Sequence, residues 1–141
     1  MSTADSLHAT CVAWDDRAVL IIGASGVGKS GLALTLMAFG CTLVADDRVS
    51  LQLREEAVYA RCPGKIAGLI EARGLGILKA EHVPDAQVVL AVDMDQRETE
   101  RLPQRRYLSL LDCNLPLIYR VDAPHFASGI MQILKAGWSD R

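Results

Sequence analysis

The sequence lacks any excess of positive charge. Its 15 Lys and Arg residues are outnumbered by 17 Asp and Glu residues, which gives a formal net charge of −2 at pH 7. Binding to nucleic acid or to an anionic membrane surface normally needs a clustered basic face. The arginines between Arg97 and Arg106 are interleaved with Glu98 and Glu100, which is typical of a solvated loop; the alternative is a docking patch for an acidic partner. We therefore expect neither nucleic acid nor membrane as a partner.

The sequence also lacks paired cysteines. Its thiols lie far apart in the chain, at Cys11, Cys41, Cys62 and Cys113. No C-x-x-C spacing is present, so the pattern favours reduced, mostly buried thiols over disulfides or a zinc site.

Long hydrophobic runs and a signal peptide are absent too. The longest uncharged run, between Lys29 and Asp46, is shorter than the roughly 18 residues that a membrane-spanning helix needs. The first residues are few and polar, unlike a signal peptide. Half of the 141 residues are hydrophobic, with no internal repeat or linker, so we expect a single cytoplasmic domain spanning residues 1–141.

The strongest motif lies between Val19 and Leu34. It fits the Walker A pattern G-x-x-x-x-G-K-[ST] through Gly23, Ala24, Ser25, Gly26, Val27, Gly28, Lys29 and Ser30. A β-branched apolar run precedes it and a helix-forming run follows it, as a loop that wraps phosphate with backbone N–H groups requires. We expect Lys29 to contact the β and γ phosphates of a nucleotide and Ser30 to offer its hydroxyl to Mg²⁺. Ser25 is either a loop former or a further phosphate contact.

The remaining pattern predicts an α/β fold with a mixed sheet. Strands are predicted over 7–14, 17–22, 41–45, 49–53, 57–61, 87–93 and 115–121, and helices over 29–39 and 124–136. Two of these strand pairs flank short polar turns and should form antiparallel hairpins, which breaks the simple alternation of a doubly wound fold. Residues 94–104 are expected to form a surface excursion and 112–114 a turn.

Carboxylates follow the predicted strand at 41–45. Asp46 and Asp47 stand where ligands bind in sheets of this kind, so one carboxylate would hold a metal and the other would act as general base; a turn or cap is the alternative. Glu71 and Arg73 face the same side of an extended segment, which by itself indicates a surface ion pair. His8 by itself carries no signal.

Read together, these segments resemble one family. They are LHA at 7–9, GASGVGKS at 23–30, LVADDRV at 43–49 and GLIEARGLGI at 68–77. Their order and spacing are similar to those of the catalytic domain of HPr kinase/phosphorylase, over about two thirds of the chain.

The resemblance implies a P-loop kinase domain similar to the nucleotide domain of phosphoenolpyruvate carboxykinases. It also implies a bacterial kinase that uses ATP and Mg²⁺ to phosphorylate a serine of an HPr-type phosphocarrier, in a family that tends toward hexamers. Carried over by residue, Asp47 is the proton acceptor, Ser30 and Glu71 help to hold Mg²⁺, and His8 lines the active site. Arg73 lies in the family's signature segment.

The chain departs from the family pattern in three places. We expect no separate N-terminal domain, Ala72 replaces an isoleucine of the signature, and Arg120 is the one arginine where an arginine-rich loop for phosphorolysis is expected. The resemblance therefore supports kinase activity better than phosphorylase activity. A kinase for a small hydroxyl compound, such as a free amino acid, and a nucleotide-sensing module with little turnover remain the alternatives.

Overall fold

The computed structural model describes residues 3–64 and 67–140, and it is a mixed α/β fold. Within those ranges the strands are β1 (Thr3–Trp14), β2 (Arg17–Ile22), β3 (Thr42–Ala45), β4 (Arg48–Arg54), β5 (Ala57–Arg61), β6 (Leu69–Ala72), β7 (Gly76–Lys79), β8 (Asp85–Arg97), β9 (Arg106–Leu110) and β10 (Cys113–Arg120). The helices are α1 (Lys29–Ala38), between β2 and β3, and α2 (Phe126–Ala136), after β10.

One large sheet curls back on itself. Its order is β2-β1-β4-β5-β8-β10-β9, β3 also pairs with β1, and β8 also pairs with β2. The 13 residues of β8 make this closure possible, because its first part pairs antiparallel with β5 while later parts pair parallel with β2 and β10. The predicted mixed sheet is therefore confirmed. β6 and β7 form a separate hairpin.

Two apolar cores lie on the two faces of this sheet. The core inside the curl is built mainly from small and β-branched side chains, such as Ala9, Cys11 and Val88. The outer face carries α1 and α2 and a second core with larger side chains, such as Leu36 and Ile130. Alternation along each strand separates the two sets, since successive side chains point to opposite faces.

The two helices are short, and a glycine follows within two residues of the end of each. α1 starts directly after Gly28, whose φ of 103° is unfavourable for a residue with a side chain, and Gly40 (φ 115°) reverses the chain after α1 ends. α2 buries Ile130, Met131 and Leu134 against the sheet. Within 3–64 and 67–140, no helix is long and apolar enough to cross a membrane.

The thiols are free, as predicted. Cys11 and Cys41 are buried and the other two are partly exposed. Burial raises the pKa of Cys41 to about 11 and moves the pKa of Cys11 higher still, so both thiols stay protonated at neutral pH.

The predicted helices and the hairpins β1–β2 and β4–β5 are confirmed within a few residues. The predicted excursion at 94–104 is wrong at its start, because β8 continues to Arg97.

The predicted turn at 112–114 is misplaced. The turn residues are Leu111 and Asp112, both with positive φ, and they join β10 to the strand β9 that the sequence did not indicate. Leucine is an unusual residue for such a turn, which explains the error.

Leu36 provides a test of the outer core. Leu36 is fully buried in α1, whereas Leu102 is 85% exposed. We expect Leu36→Ala to lower the free energy of unfolding by about 2–5 kcal/mol, because it removes apolar contacts and leaves a cavity. The matched change Leu102→Ala should cost less than about 0.5 kcal/mol. Urea unfolding of both variants measures the difference, and equal losses would contradict the assignment of this core.

Candidate functional site

The candidate site is a cavity of about 420 Å³ beside the start of α1. Side chains and backbone from four parts of the chain line it: His8 and Thr10 of β1, the loop before α1 with the first turns of α1, the residues between β3 and β4, and the β6–β7 hairpin. The residues contributed by the last three are Ser25, Gly26, Gly28, Lys29, Ser30, Gly31, Leu34, Asp46, Asp47, Glu71, Ala72, Arg73 and Leu75.

Asp46 and Asp47 lie at a kink between β3 and β4, two strands that both pair antiparallel with β1. β3 pairs with residues 11–13 of β1 and β4 pairs with residues 3–8, so the chain follows β1 on both sides of the kink. Asp47 takes a left-handed conformation (φ 69°), which Asp tolerates better than most residues. As in a β-bulge, the interruption turns side chains out of the regular alternation, here toward the cavity.

The Asp46 carboxylate joins three elements. One of its oxygens accepts hydrogen bonds from the hydroxyls of Thr10 (3.0 Å) and Ser30 (2.8 Å). The other accepts the backbone N–H of Glu71 at 3.0 Å. These bonds satisfy much of the acceptor capacity of a carboxylate that is itself only partly exposed.

Asp47 points toward solvent and contacts His8. The distance from Nε2 of His8 to Oδ1 of Asp47 is 3.2 Å, and the Asp47 side chain is 75% exposed. The backbone supports this pair, because the N–H of Ala9 donates to the Asp47 carbonyl. The second carboxylate oxygen of Asp47 has no hydrogen bond within 3–64 and 67–140, so it is available to a ligand.

Lys29 is buried in the loop that precedes it. Its Nζ donates to the carbonyl oxygens of Gly23 (2.7 Å) and Ala24 (2.9 Å), and the residue is 7% exposed. A buried ammonium group needs such partners, since an unpaired buried charge is very unfavourable. The Gly23–Ser30 loop therefore closes around its own lysine.

The structure adds Thr10 to the cavity, and Met94 and Asp95 to the residues that support the Gly23–Ser30 loop; sequence reasoning placed none of them there. Thr10 is buried and bonds to Asp46, and it lies two residues from His8 on the same face of β1. Both carboxylate oxygens of Asp95 accept the N–H of Ala24, at 3.0 and 3.1 Å. Met94 supports the same turn, because a Cβ on Gly23 would lie 3.2 Å from the Met94 Cβ. Asp95 had a usable signal, since it lies just after the part of β8 that pairs parallel with β2.

The sequence-predicted residues do not all reach the cavity. His8, Lys29, Ser30, Asp46, Asp47, Glu71 and Arg73 line it together. Gly23, Ala24 and Val27 shape the loop without lining the cavity. Arg120 lies elsewhere, with its guanidinium donating to the carboxylate of Asp122 and to the Met94 carbonyl.

Comparison with known proteins gives one consistent result. A family model for the HPr serine kinase C-terminal domain matches residues 1–115. An HPr kinase/phosphorylase of Neisseria meningitidis is 37% identical over 100 residues, which are 65% of this chain and 31% of that protein. One from Cupriavidus metallidurans is 38% identical over 112 residues, 71% of this chain and 35% of that protein.

A solved structure has a similar fold. The HPr(Ser) kinase/phosphatase from Coxiella burnetii superimposes with a TM-score of 0.75 and 26% sequence identity, covering 94% of this chain and 88% of that one. The chain spans about a third of the length of the curated relatives it matches. Because the family model covers residues 1–115 of 141, the chain belongs to the family of HPr serine kinase C-terminal domains.

Proposed function

We propose that this chain is a single P-loop catalytic domain that transfers the γ-phosphoryl group of ATP to a serine of an HPr-type phosphocarrier. The observation that carries the proposal is the cavity in which Lys29, Ser30, Asp46 and Asp47 meet. It places a glycine-rich loop with a lysine beside a solvent-facing carboxylate, which are the parts that phosphoryl transfer to a hydroxyl needs. Membership of the HPr serine kinase family supports the choice of acceptor.

In the proposed reaction the acceptor hydroxyl binds the free oxygen of Asp47. His8 orients this carboxylate through its contact at 3.2 Å. The serine oxygen forms a bond to the γ phosphorus, the bond from that phosphorus to the β–γ bridging oxygen breaks, and the proton passes to Asp47. Lys29 exchanges its two loop carbonyls for phosphate oxygens and stabilises the charge that develops there.

The residues present fit a bound Mg²⁺. Mg²⁺ usually takes one or two carboxylates and keeps water and phosphate as its other ligands. In the described part of the chain no cluster of three or more acidic, His or Cys residues is built to hold a metal by itself, which agrees with that pattern. Ser30, Asp46 and Glu71 would supply the protein ligands, with Ser30 and Asp46 already in contact. When bound, the ion would neutralise charge on the phosphates.

The proposal has further parts. We propose that the fold is similar to the nucleotide domain of phosphoenolpyruvate carboxykinases, that the protein works in the cytoplasm, and that it forms the homo-oligomer that the family resemblance implies. We do not extend the proposal to phosphorylase activity, because Arg120 is held by Asp122 and by the Met94 carbonyl and does not line the cavity.

Removing the loop lysine tests the nucleotide site. We expect Lys29→Ala to weaken ATP binding by about tenfold or more, because a charged contact with the phosphates is lost. Lys79 is an exposed residue of β7, so Lys79→Ala makes the same change in net charge away from the cavity. Calorimetric titration with ATP compares the two variants. Wild-type affinity in Lys29→Ala would contradict the role of the loop.

Replacing Asp47 separates catalysis from binding. Asp47→Asn should keep ATP affinity but slow phosphoryl transfer by about 10²–10⁴-fold, because the amide cannot accept the proton. Asp112 is a matched control, since it is also exposed and also left-handed (φ 61°). Initial rates with labelled ATP give the comparison. Equal rates for Asp47→Asn and Asp112→Asn would rule out the assigned role.

The acceptor is tested directly with labelled ATP. We expect label on the serine of an HPr-type carrier and none on a carrier whose serine is changed to alanine. Label on free serine or another small hydroxyl compound would favour the small-molecule kinase instead. Tight ATP binding with no transfer to either would favour a nucleotide-sensing module.

A further inference from the structure

A second cavity lies outside the candidate site. It has a volume of about 550 Å³ and is enclosed by α2, by β9 and β10, and by the 98–105 segment that connects β8 to β9. It shares no lining residue with the cavity at Lys29. Much of it is formed by residues after 115, which the family model does not match, so the family assignment does not account for it.

Apolar side chains form much of the lining of this second cavity. They are Pro116, Ile118, Phe126, Ile130 and Ile133, together with the rings of Tyr107 and Trp138. Tyr107 is 59% exposed and Trp138 is 37% exposed, so two large rings remain open to solvent at its edge. A volume of about 300–1,000 Å³ with mainly aromatic and aliphatic lining is typical of small-molecule sites.

Gly129 borders this cavity without a side chain. It lies inside α2, where glycine disfavours the helix relative to alanine. Its backbone is not in the left-handed region, and a Cβ built on it would meet no atom within 4 Å. Neither a turn nor close packing therefore requires a glycine. The surface of α2 at Gly129 therefore leaves room for a ligand beside the apolar lining.

The lining of the cavity carries an excess of positive charge, because Arg101, Arg105 and Arg106 outnumber Glu98 and Glu100. Glu98 neutralises Arg106 at 3.1 Å, and this contact lowers the pKa of the Glu98 carboxyl. Arg105 stacks over the Trp138 ring (4.5 Å) and donates to a backbone carbonyl, and Arg101 is exposed. Neither Arg101 nor Arg105 forms an ion pair within the described ranges. Residues 99–105 are exposed, as expected for a solvated, charge-mixed loop.

We propose that the second cavity binds a small organic anion, with its aromatic or aliphatic body beside Gly129 and its anionic group at Arg101 and Arg105. A largely apolar lining that also carries unneutralised arginines matches both parts of such a ligand. The proposal does not depend on the kinase function, because the two cavities are separate.

Anilinonaphthalene sulfonate, an aromatic anion whose fluorescence rises in apolar sites, is the probe. We expect saturable binding of one molecule per chain to the folded wild-type protein. Gly129→Phe should abolish it by filling the cavity, whereas Gly129→Ala should keep it. Gln132→Phe is the matched control, because it adds the same ring at an exposed position of α2. Circular dichroism shows whether each variant is folded.

The neutral analogue phenylnaphthylamine tests the anionic part. In the double variant Arg101→Gln, Arg105→Gln, we expect affinity for the sulfonate to fall by about tenfold while affinity for the neutral probe stays within about twofold. Equal losses for the two probes would overturn the role of the arginines.

Spectra of wild-type protein keep the test independent of any variant. In a proton–nitrogen correlation spectrum, the sulfonate should shift the Gly129 amide and the Trp138 indole and leave the Trp14 indole unchanged. Unsaturable binding, shifts confined to other residues, or a dimer in sedimentation that excludes the probe would each overturn the proposal.

Discussion

The hydrogen bonds that converge on the Asp46 carboxylate hold the candidate site together. Thr10 of β1, Ser30 of α1 and the backbone of Glu71 in β6 all donate to it, and these elements are far apart in the sequence. Removal of this one acceptor would leave three donors without their partner. The arrangement depends in turn on the curled sheet, because β1 must lie beside both β3 and β4 for Thr10 to meet the kink between them.

Much of this site could be predicted from the sequence because its motifs are local. The Gly23–Ser30 loop and the Asp46–Asp47 pair each follow a short strand, and that order alone places them at one edge of a sheet. Thr10 could not be found in the same way, because threonine is common in strands and its role appears only through pairing with a residue 36 positions away.

The fold was predictable to a similar degree. Hairpins such as β1–β2 are signalled by the residues at their turns, whereas the closure of the sheet depends on pairing between β2 and β8, which no local pattern records. β9 was missed for a related reason. The turn between β9 and β10 begins at Leu111, which has a positive φ. The polar residues that usually mark a turn, Asp112 and Asn114, lie one and three positions after Leu111.

Several polar groups of the Gly23–Ser30 loop are already paired within the protein. Ala24 donates its N–H to the Asp95 carboxylate, and Lys29 donates to two loop carbonyls. If polyphosphate binds here, as we propose, it must take the place of an anion that the protein itself supplies and draw Lys29 away from its carbonyls. Binding then replaces existing hydrogen bonds with new ones. The affinity therefore depends on the difference in free energy between the loop bonded to the protein and the loop bonded to phosphate. On this view Asp95 and Lys29 set nucleotide affinity together, one by competing with phosphate and the other by attracting it.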